Sequence, residues 1–264
     1  MLPLHRSSLY LKNLLIVKRL KADVIFNALH GGKGENGIVQ GMLDSIEIPY
    51  TGSGRLASTI AMEKDLSKNF FRAANLPVAK SIVLNRPGAS RKNIKSLKFP
   101  LVVKPNDQGS TIGLYIVDNF DNIEPAIEDA FRYSSKVIIE EYIAGRELTV
   151  AILKERALPV LEIIPQHELY DYECKYKDGM SSYQVPADIP NELANRMQAI
   201  ALKAHRTLDC SGYSRVDFRL DKNNEPFILE VNTLPGMTGT SLVPKAAKAA
   251  DITFNSLIEM IVED

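Results

Sequence analysis

Two polar–apolar–polar triplets, Arg215-Val216-Asp217 and Glu230-Val231-Asn232, carry the strongest chemical signal in this sequence. On an extended strand, residues i and i+2 face one side. Arg215 therefore shares a face with Asp217, and Glu230 shares one with Asn232, while Val216 and Val231 turn away. The turn-like run Asp221-Lys222-Asn223-Asn224-Glu225 between them predicts a hairpin that pairs near Asp217 and Glu230. Two carboxylates directly opposed, ~5 Å apart, repel each other. A divalent cation reverses that sign. Two carboxylates and one amide oxygen suit Mg²⁺, which takes the rest of its shell from water and phosphate. Arg215 beside them then meets a transferring phosphate. The alternative is a surface ladder of salt bridges through Arg215 and Arg219. A one-residue slip of register also puts the two acids on opposite faces.

Two glycine-rich loops could serve the same phosphate. The segment Asn106-Asp107-Gln108-Gly109-Ser110-Thr111-Ile112-Gly113 follows the apolar run Leu101-Val102-Val103, which Lys104 closes. A lysine at a strand end is a mobile point charge, and the loop supplies N–H and O–H donors that can fold over phosphate oxygens. No G-x-x-x-x-G-K-[ST] run occurs, so this is not a Walker A loop, and a polar hairpin is the alternative. Gly32-Lys33-Gly34-Glu35-Asn36-Gly37 fits G-x-G-x-x-G after a strand and before a helix. A dinucleotide fingerprint also wants an acid ~20 residues on. The next strand, Ile48-Pro49-Tyr50-Thr51-Gly52, has none. What survives is a tight turn led by His30 that can bring backbone N–H groups to an anion. Glu140-Glu141-Tyr142-Ile143 ends another apolar strand, with Glu147 just beyond. Carboxylates there can accept from an adenine amine or ribose hydroxyls, or can be plain solvated charges.

Short strand-like runs alternate with helical patterns, which places the chain in the α/β (α+β) class. Helices are expected over 9–20, 37–46, 123–133 and 190–209, with one long or two short helices over 55–75. Strands are expected at 24–29, 48–50, 81–84, 101–104, 114–117, 137–142, 147–153, 158–163, 213–220 and 227–231, with the remaining C-terminal residues helical. Residues 165–186 show no sustained period, and a loop of that length acts as a lid.

The 264 residues are 45% hydrophobic and 24% charged, which excludes collagen-like and mostly disordered chains. Lys and Arg total 32, as do Asp and Glu, so a globally basic nucleic-acid binder is disfavoured. No apolar run approaches ~18 residues, so no membrane span is expected. The two cysteines, Cys174 and Cys210, form neither a disulfide framework nor a thiolate metal site, which points to a reducing, cytoplasmic compartment.

Taken in order, the motifs resemble a known family. They run His30-Gly31-Gly32, Glu35-Asn36-Gly37, Tyr50-Thr51-Gly52-Ser53-Gly54, Met62-Glu63-Lys64, Val103-Lys104-Pro105 and Gly109-Ser110-Thr111-Ile112-Gly113. After these come Tyr170-Asp171-Tyr172-Glu173-Cys174-Lys175-Tyr176, Arg215-Val216-Asp217 and Glu230-Val231-Asn232-Thr233-Leu234-Pro235-Gly236-Met237-Thr238. The series looks like D-alanine–D-alanine ligase, of the ATP-grasp superfamily, over roughly residues 24–264. The resemblance implies an ATP-grasp fold with a truncated N-terminal parallel-sheet domain (1–63) on the substrate side. A central domain (64–146) and a C-terminal domain (147–264), with the metal site and the 165–186 lid, complete it.

The same resemblance assigns roles. Lys64, Lys104 and Lys175 would touch ATP phosphates or adenine. Glu140, Glu141 and Ile143 would hold the adenine, and Glu147 the ribose. Asp217, Glu230 and Asn232 would hold two Mg²⁺ or Mn²⁺ ions. Arg215 and the Gly236 N–H would stabilise an oxyanion. His30 would lie at the first D-alanine, and Ser241 and Leu242 would receive the second. Ser110 and Tyr176 would join the glycine loop to the lid, and Tyr176 favours D-alanine as acceptor. A homodimer making D-alanyl-D-alanine for peptidoglycan is implied.

The chain also departs from that pattern. Full-length relatives begin with a strand and a Gly-Gly-x-Ser-x-Glu turn whose Glu binds the first D-alanine. Here no Glu precedes Glu35. The expectation is a missing first strand–turn unit, with nucleotide binding kept and ligation impaired. The competing expectation is a non-catalytic nucleotide-binding remnant.

Overall fold

Alternating apolar positions build two antiparallel sheets in the computed structural model, which describes residues 16–165 and 181–264. The smaller sheet holds β1 (Ser81–Leu84), β2 (Leu101–Pro105), β3 (Tyr115–Val117) and β4 (Val137–Glu141), in the order β1-β4-β2-β3. Helix α4 (Ile123–Ala130) lies on it. Ile127 and Ala130 pack with Leu101, Val103, Val137 and Ile139 in a closed core.

The larger sheet holds β5 (Gly145–Leu153), β6 (Arg156–Ala157), β7 (Leu161–Pro165), β8 (Ser181–Gln184), β9 (Tyr213–Asp221) and β10 (Pro226–Asn232). Its order is β10-β9-β5-β7-β8, with β6 folded back on β5 by a tight turn. One face, Leu148, Val150, Ile152, Val216, Phe218 and Leu220, packs under α5 (Asn191–Thr207) through Leu193, Met197, Ala201, Ala204 and Leu208. The opposite face begins apolar. Ala151, Leu153 and Tyr213 pack against α6 (Leu242–Lys248) and α7 (Phe254–Val262). Further along, that face turns polar as β9 presents Arg215 opposite Ala151, Asp217 opposite Thr149 and Arg219 opposite Glu147 of β5. Among the described residues no helix covers this stretch, and it becomes the floor of a cleft between the two sheets.

The N-terminal segment differs from expectation. The strands expected at 24–29 and 48–50 reduce to a single parallel bridge, Ile25 with Tyr50, closed by Ile25 N–H to Pro49 O (2.8 Å) and Thr51 N–H to Ile25 O (3.0 Å). The helix expected at 9–20 lies mostly outside the described residues. Helix α1 (Ile38–Ile46) starts at Gly37, whose left-handed backbone (φ 89°) and lack of a Cβ are both required. A Cβ there would sit 2.3 Å from Thr59 Oγ1.

The 55–75 span is two helices, α2 (Arg55–Met62) and α3 (Lys64–Ala73), separated at Glu63, whose backbone is extended (φ −81°, ψ 94°). Phe71 of α3 and Ile60 of α2 join the core of the larger sheet. Leu76, just after α3, belongs to that core as well. The 165–186 segment is not wholly irregular either. Ser181–Gln184 adds to the edge of β7, and Tyr183 packs with Leu161, Ile163 and Leu242. Only four residues long, β8 carries too little periodicity to be read locally. The expected C-terminal helical run is interrupted as well, since residues 233–241 are turns ahead of α6.

Candidate active site

The two triplets meet as their alternation demands. Asp217 pairs with Glu230, and Arg215 with Asn232, across β9 and β10. That register depends on a bulge. Ile228 pairs with Phe218, yet Glu230 pairs with Asp217, so Leu229 is an extra residue between the two rungs. Without it, Asp217 would pair with Leu229 and Glu230 would face the α5 side.

The carboxylates are compensated within the chain. Arg215 donates from Nε and Nη2 to the two oxygens of Asp217 (2.8 and 2.7 Å), and Thr149 Oγ1 donates to Asp217 Oδ1 (2.7 Å). Lys64 Nζ lies 3.2 Å from Glu230 and donates to Gln108 O at 2.7 Å. Asn232 Oδ1 accepts from the Leu234 N–H (2.9 Å), which orients its amide and leaves a second lone pair. Among the described residues no three His, Cys, Asp or Glu side chains cluster as a metal site. The candidate donor set is two carboxylates and one amide oxygen, all hard, which suits Mg²⁺ or Mn²⁺.

Lys64 is held where α3 meets the end of β2. Asn106, fully buried, accepts from the Asp65 N–H through Oδ1 (2.8 Å) and donates from Nδ2 to Glu63 (2.7 Å) and Asp65 (2.6 Å). Its carbonyl accepts the Lys64 N–H (3.2 Å). The glycine loop leaves directly from this knot. Ser110 (φ 52°) and Thr111 (φ 65°) take left-handed backbone before Gly113 (φ 64°), a conformation that costs each about 1–3 kcal/mol. Such strain concentrates where a loop must present its backbone to a ligand.

Lys104 and Glu140 come together at the base of the smaller sheet. Lys104 Nζ is 2.5 Å from Glu140 Oε1, and Lys68 Nζ is 2.8 Å from Glu140 Oε2. Burial alone would raise the Glu140 carboxyl, but the two ammonium groups outweigh it and hold it at about 2. Next along the chain, Glu141 accepts the Lys98 N–H (3.0 Å), while Glu147 lies 3.4 Å from Arg219. Arg219 also donates to Ile143 O (3.0 Å), Gly145 O (2.9 Å) and Tyr142 Oη (3.2 Å). It thereby fixes the crossing from β4 into β5.

At the other end, His30 Nδ1 donates to Leu234 O (2.8 Å), so the glycine turn is tied to the segment after β10. Glu35 accepts the Gly31 N–H at 2.9 Å. Burial raises its carboxyl and Glu230 adds to the rise, against that hydrogen bond and Arg215. Ser241 Oγ accepts the Thr238 N–H (3.0 Å), and a Cβ on Gly236 would come within 2.8 Å of it.

These groups line one continuous cleft. Its wide part, about 1420 Å³, is lined by His30, Glu35, Asn232, Gly236, Ser241 and Leu242. Its narrow part, about 130 Å³, is lined by Lys104, Glu140, Glu141, Ile143, Glu147 and Asp217. Lys64, Ser110, Arg215 and Glu230 border both. Lys175 and Tyr176 lie outside the described residues. Sequence reasoning gave no role to Lys68 or Glu35. Lys68 sits one helical turn after Lys64 on the buried face of α3, a spacing that was legible, and Glu35 stands five residues after His30. Cys210 is no nucleophile, since burial pushes its thiol up to about 12.

Comparison with known proteins agrees with this geometry. Residues 70–263 match the family model described as D-ala D-ala ligase C-terminus, and residues 11–53 match D-ala D-ala ligase N-terminus. A D-alanine–D-alanine ligase of Trichlorobacter lovleyi is 44% identical over 94% of this chain and 79% of its own length. That of Halalkalibacterium halodurans is 46% identical over 92% and 82%. The Bacillus anthracis D-alanine–D-alanine ligase complexed with ATP superposes with a TM-score of 0.84 at 38% identity, covering 96% of this chain and 82% of that one. A D-Ala:D-Ser ligase from Enterococcus faecalis superposes at 0.83 and 33% identity, covering 92% and 73%. The architecture is therefore ATP-grasp, and the chain belongs to the D-alanine–D-alanine ligase family.

Proposed function

We propose that this protein joins two D-alanines at the expense of ATP, in service of peptidoglycan synthesis. The observation that carries the reading is the bulged register that sets Asp217 against Glu230 beside Arg215 and Lys64, between a narrow pocket and a wide one. The narrow pocket takes the adenine and ribose, bordered by Glu140, Glu141, Ile143 and Glu147. Lys64, Lys104 and the 109–113 loop, with Ser110 at its turn, hold the phosphates, and Lys175 joins them from the lid. The wide pocket takes the amino acids, with His30 near the first and Ser241 and Leu242 near the second.

Two Mg²⁺ or Mn²⁺ ions held by Asp217, Glu230 and Asn232 would supply charge stabilisation around the transferred phosphoryl group. The carboxylate of the first D-alanine attacks the γ-phosphorus and becomes an acyl phosphate, releasing ADP. The neutral amine of the second attacks the acyl carbon, and phosphate leaves. Arg215 and the Gly236 N–H hold the oxyanion that forms in that step. Water would hydrolyse the acyl phosphate, so the 109–113 loop and the 165–186 lid, with Tyr176, close over it. Tyr176 favours D-alanine as acceptor over D-lactate. A homodimer in the cytoplasm, where ATP is supplied, completes the reading. The non-catalytic alternative is not favoured, because both halves of the family pattern match this chain.

The test is D-alanine-dependent phosphate release with the dipeptide identified by mass spectrometry, and with D-serine and D-lactate offered as alternative acceptors. The dipeptide as sole product is the expected result. ATP binding without any ligation under any acceptor would restore the remnant reading.

A further inference from the structure

Lys68 is among the largest fully buried side chains of the molecule, 1% exposed, on a helix whose neighbouring lysine one turn earlier opens onto the cleft. It borders neither pocket. Its ammonium faces Glu140 Oε2 at 2.8 Å, while Lys104, which does line the narrow pocket, holds Glu140 Oε1 at 2.5 Å. Two cations thus share one carboxylate, Lys68 from within the core and Lys104 from the pocket wall. Burying a lysine is costly, and a methionine of similar volume would fill the space without that cost. A one-to-one pair of Lys104 with Glu140 would already balance the charge. The second ammonium is therefore surplus to folding, and it sits where α3, anchored in the core of the larger sheet by Phe71, reaches under the smaller sheet.

We propose that Lys68 is a positioning residue for nucleotide binding: it is the permanent counter-ion of Glu140, and by holding that carboxylate it frees Lys104 to exchange Glu140 for a nucleotide phosphate. This rests on the reading of Lys104 as a phosphate ligand. Without Lys68, Glu140 has only Lys104, and each nucleotide must break that pair before Lys104 can serve it. Lys68 therefore acts solely through Glu140, and its effect vanishes where Glu140 carries no charge.

The experiment is calorimetric titration of the whole protein with ADP plus magnesium, and separately with adenosine. The ratio of the two affinities isolates the phosphate contribution and cancels any change in base recognition. Lys68→Met is expected to lower that ratio about tenfold, the scale of one charged hydrogen bond, with little change in Tm or in adenosine binding. Lys68→Arg keeps the ratio within about threefold of wild type. In the Glu140→Gln background, adding Lys68→Met changes nothing, and this comparison stands even where Lys68→Met alone fails to fold. A ratio untouched by Lys68→Met, or lowered equally with and without Glu140→Gln, overturns the inference. If Lys104→Met leaves the ratio unchanged, the phosphate reading of Lys104 itself fails. If Lys104→Met lowers the ratio and Lys68→Met does not, only the role of Lys68 falls.

Discussion

Asp217 and Glu230 stand opposite each other across β9 and β10, and one extra residue, Leu229, puts them there. The bulge converts a hairpin that would bury one acid against α5 into one that presents both to the cleft. Bulges recur beside active sites for this reason, because they re-aim a side chain without altering the strands around it.

Deleting Leu229 removes the bulge yet leaves Glu230 opposite Asp217, so it should keep manganese binding, and the carboxylate itself is tested by replacing it. Glu230→Gln, which keeps the register, makes that replacement. We expect it to lose at least about 100-fold in turnover. Manganese binding followed by electron paramagnetic resonance should weaken in step. A Glu230→Gln protein with normal manganese affinity would remove Glu230 from the metal site.

Arg215 holds Asp217 through two nitrogens, and in the proposed mechanism it would meet the oxyanion. Arg215→Met should cost about 3–4 kcal/mol of transition-state stabilisation, read as kcat for phosphate release. Lysine at this position should recover little, since it lacks the planar fork that engages both Asp217 oxygens. Full activity in Arg215→Lys would mean that a point charge suffices.

Glu140 is held at about 2 by Lys104 and Lys68, below its ordinary 4.5. A carboxyl depressed on folding stabilises the protein fully above the unfolded value and loses that contribution as pH falls toward the folded one. Between about pH 4.5 and 2 the wild type should therefore lose stability more steeply than Glu140→Gln. Thermal melts of both proteins across that window provide the check, and parallel curves would contradict the assignment.

Gly236 approaches Ser241 so closely that a Cβ would fall 2.8 Å from its hydroxyl. Gly236→Ala should push Ser241 aside and raise KM for the acceptor by about tenfold or more, with ADP affinity unchanged. Steady-state kinetics at saturating ATP separate the two. An unchanged acceptor KM would take Ser241 out of the acceptor site.

Much of the site was legible locally. The i, i+2 alternation at Arg215, Asp217, Glu230 and Asn232 depends only on strand geometry, and the Asp221–Glu225 turn announces the hairpin. The strand at 81–84 and the helix at 38–46 follow from short, strongly patterned runs. The short β8 escaped because four residues hold too little pattern, and the 24–29 strand failed because a single bridge forms where a ladder was expected.

The sequence by itself determined which side chains could do chemistry and which of them share a strand face, because alternation is a property of the backbone alone. Only the tertiary structure decided that Leu229 bulges and that Lys68 reaches Glu140. It also decided that His30, 204 residues before Leu234, is bound to its carbonyl. Those outcomes depend on how two sheets pack against α3 and on which polar groups that packing leaves to satisfy one another, and no local pattern encodes such distances.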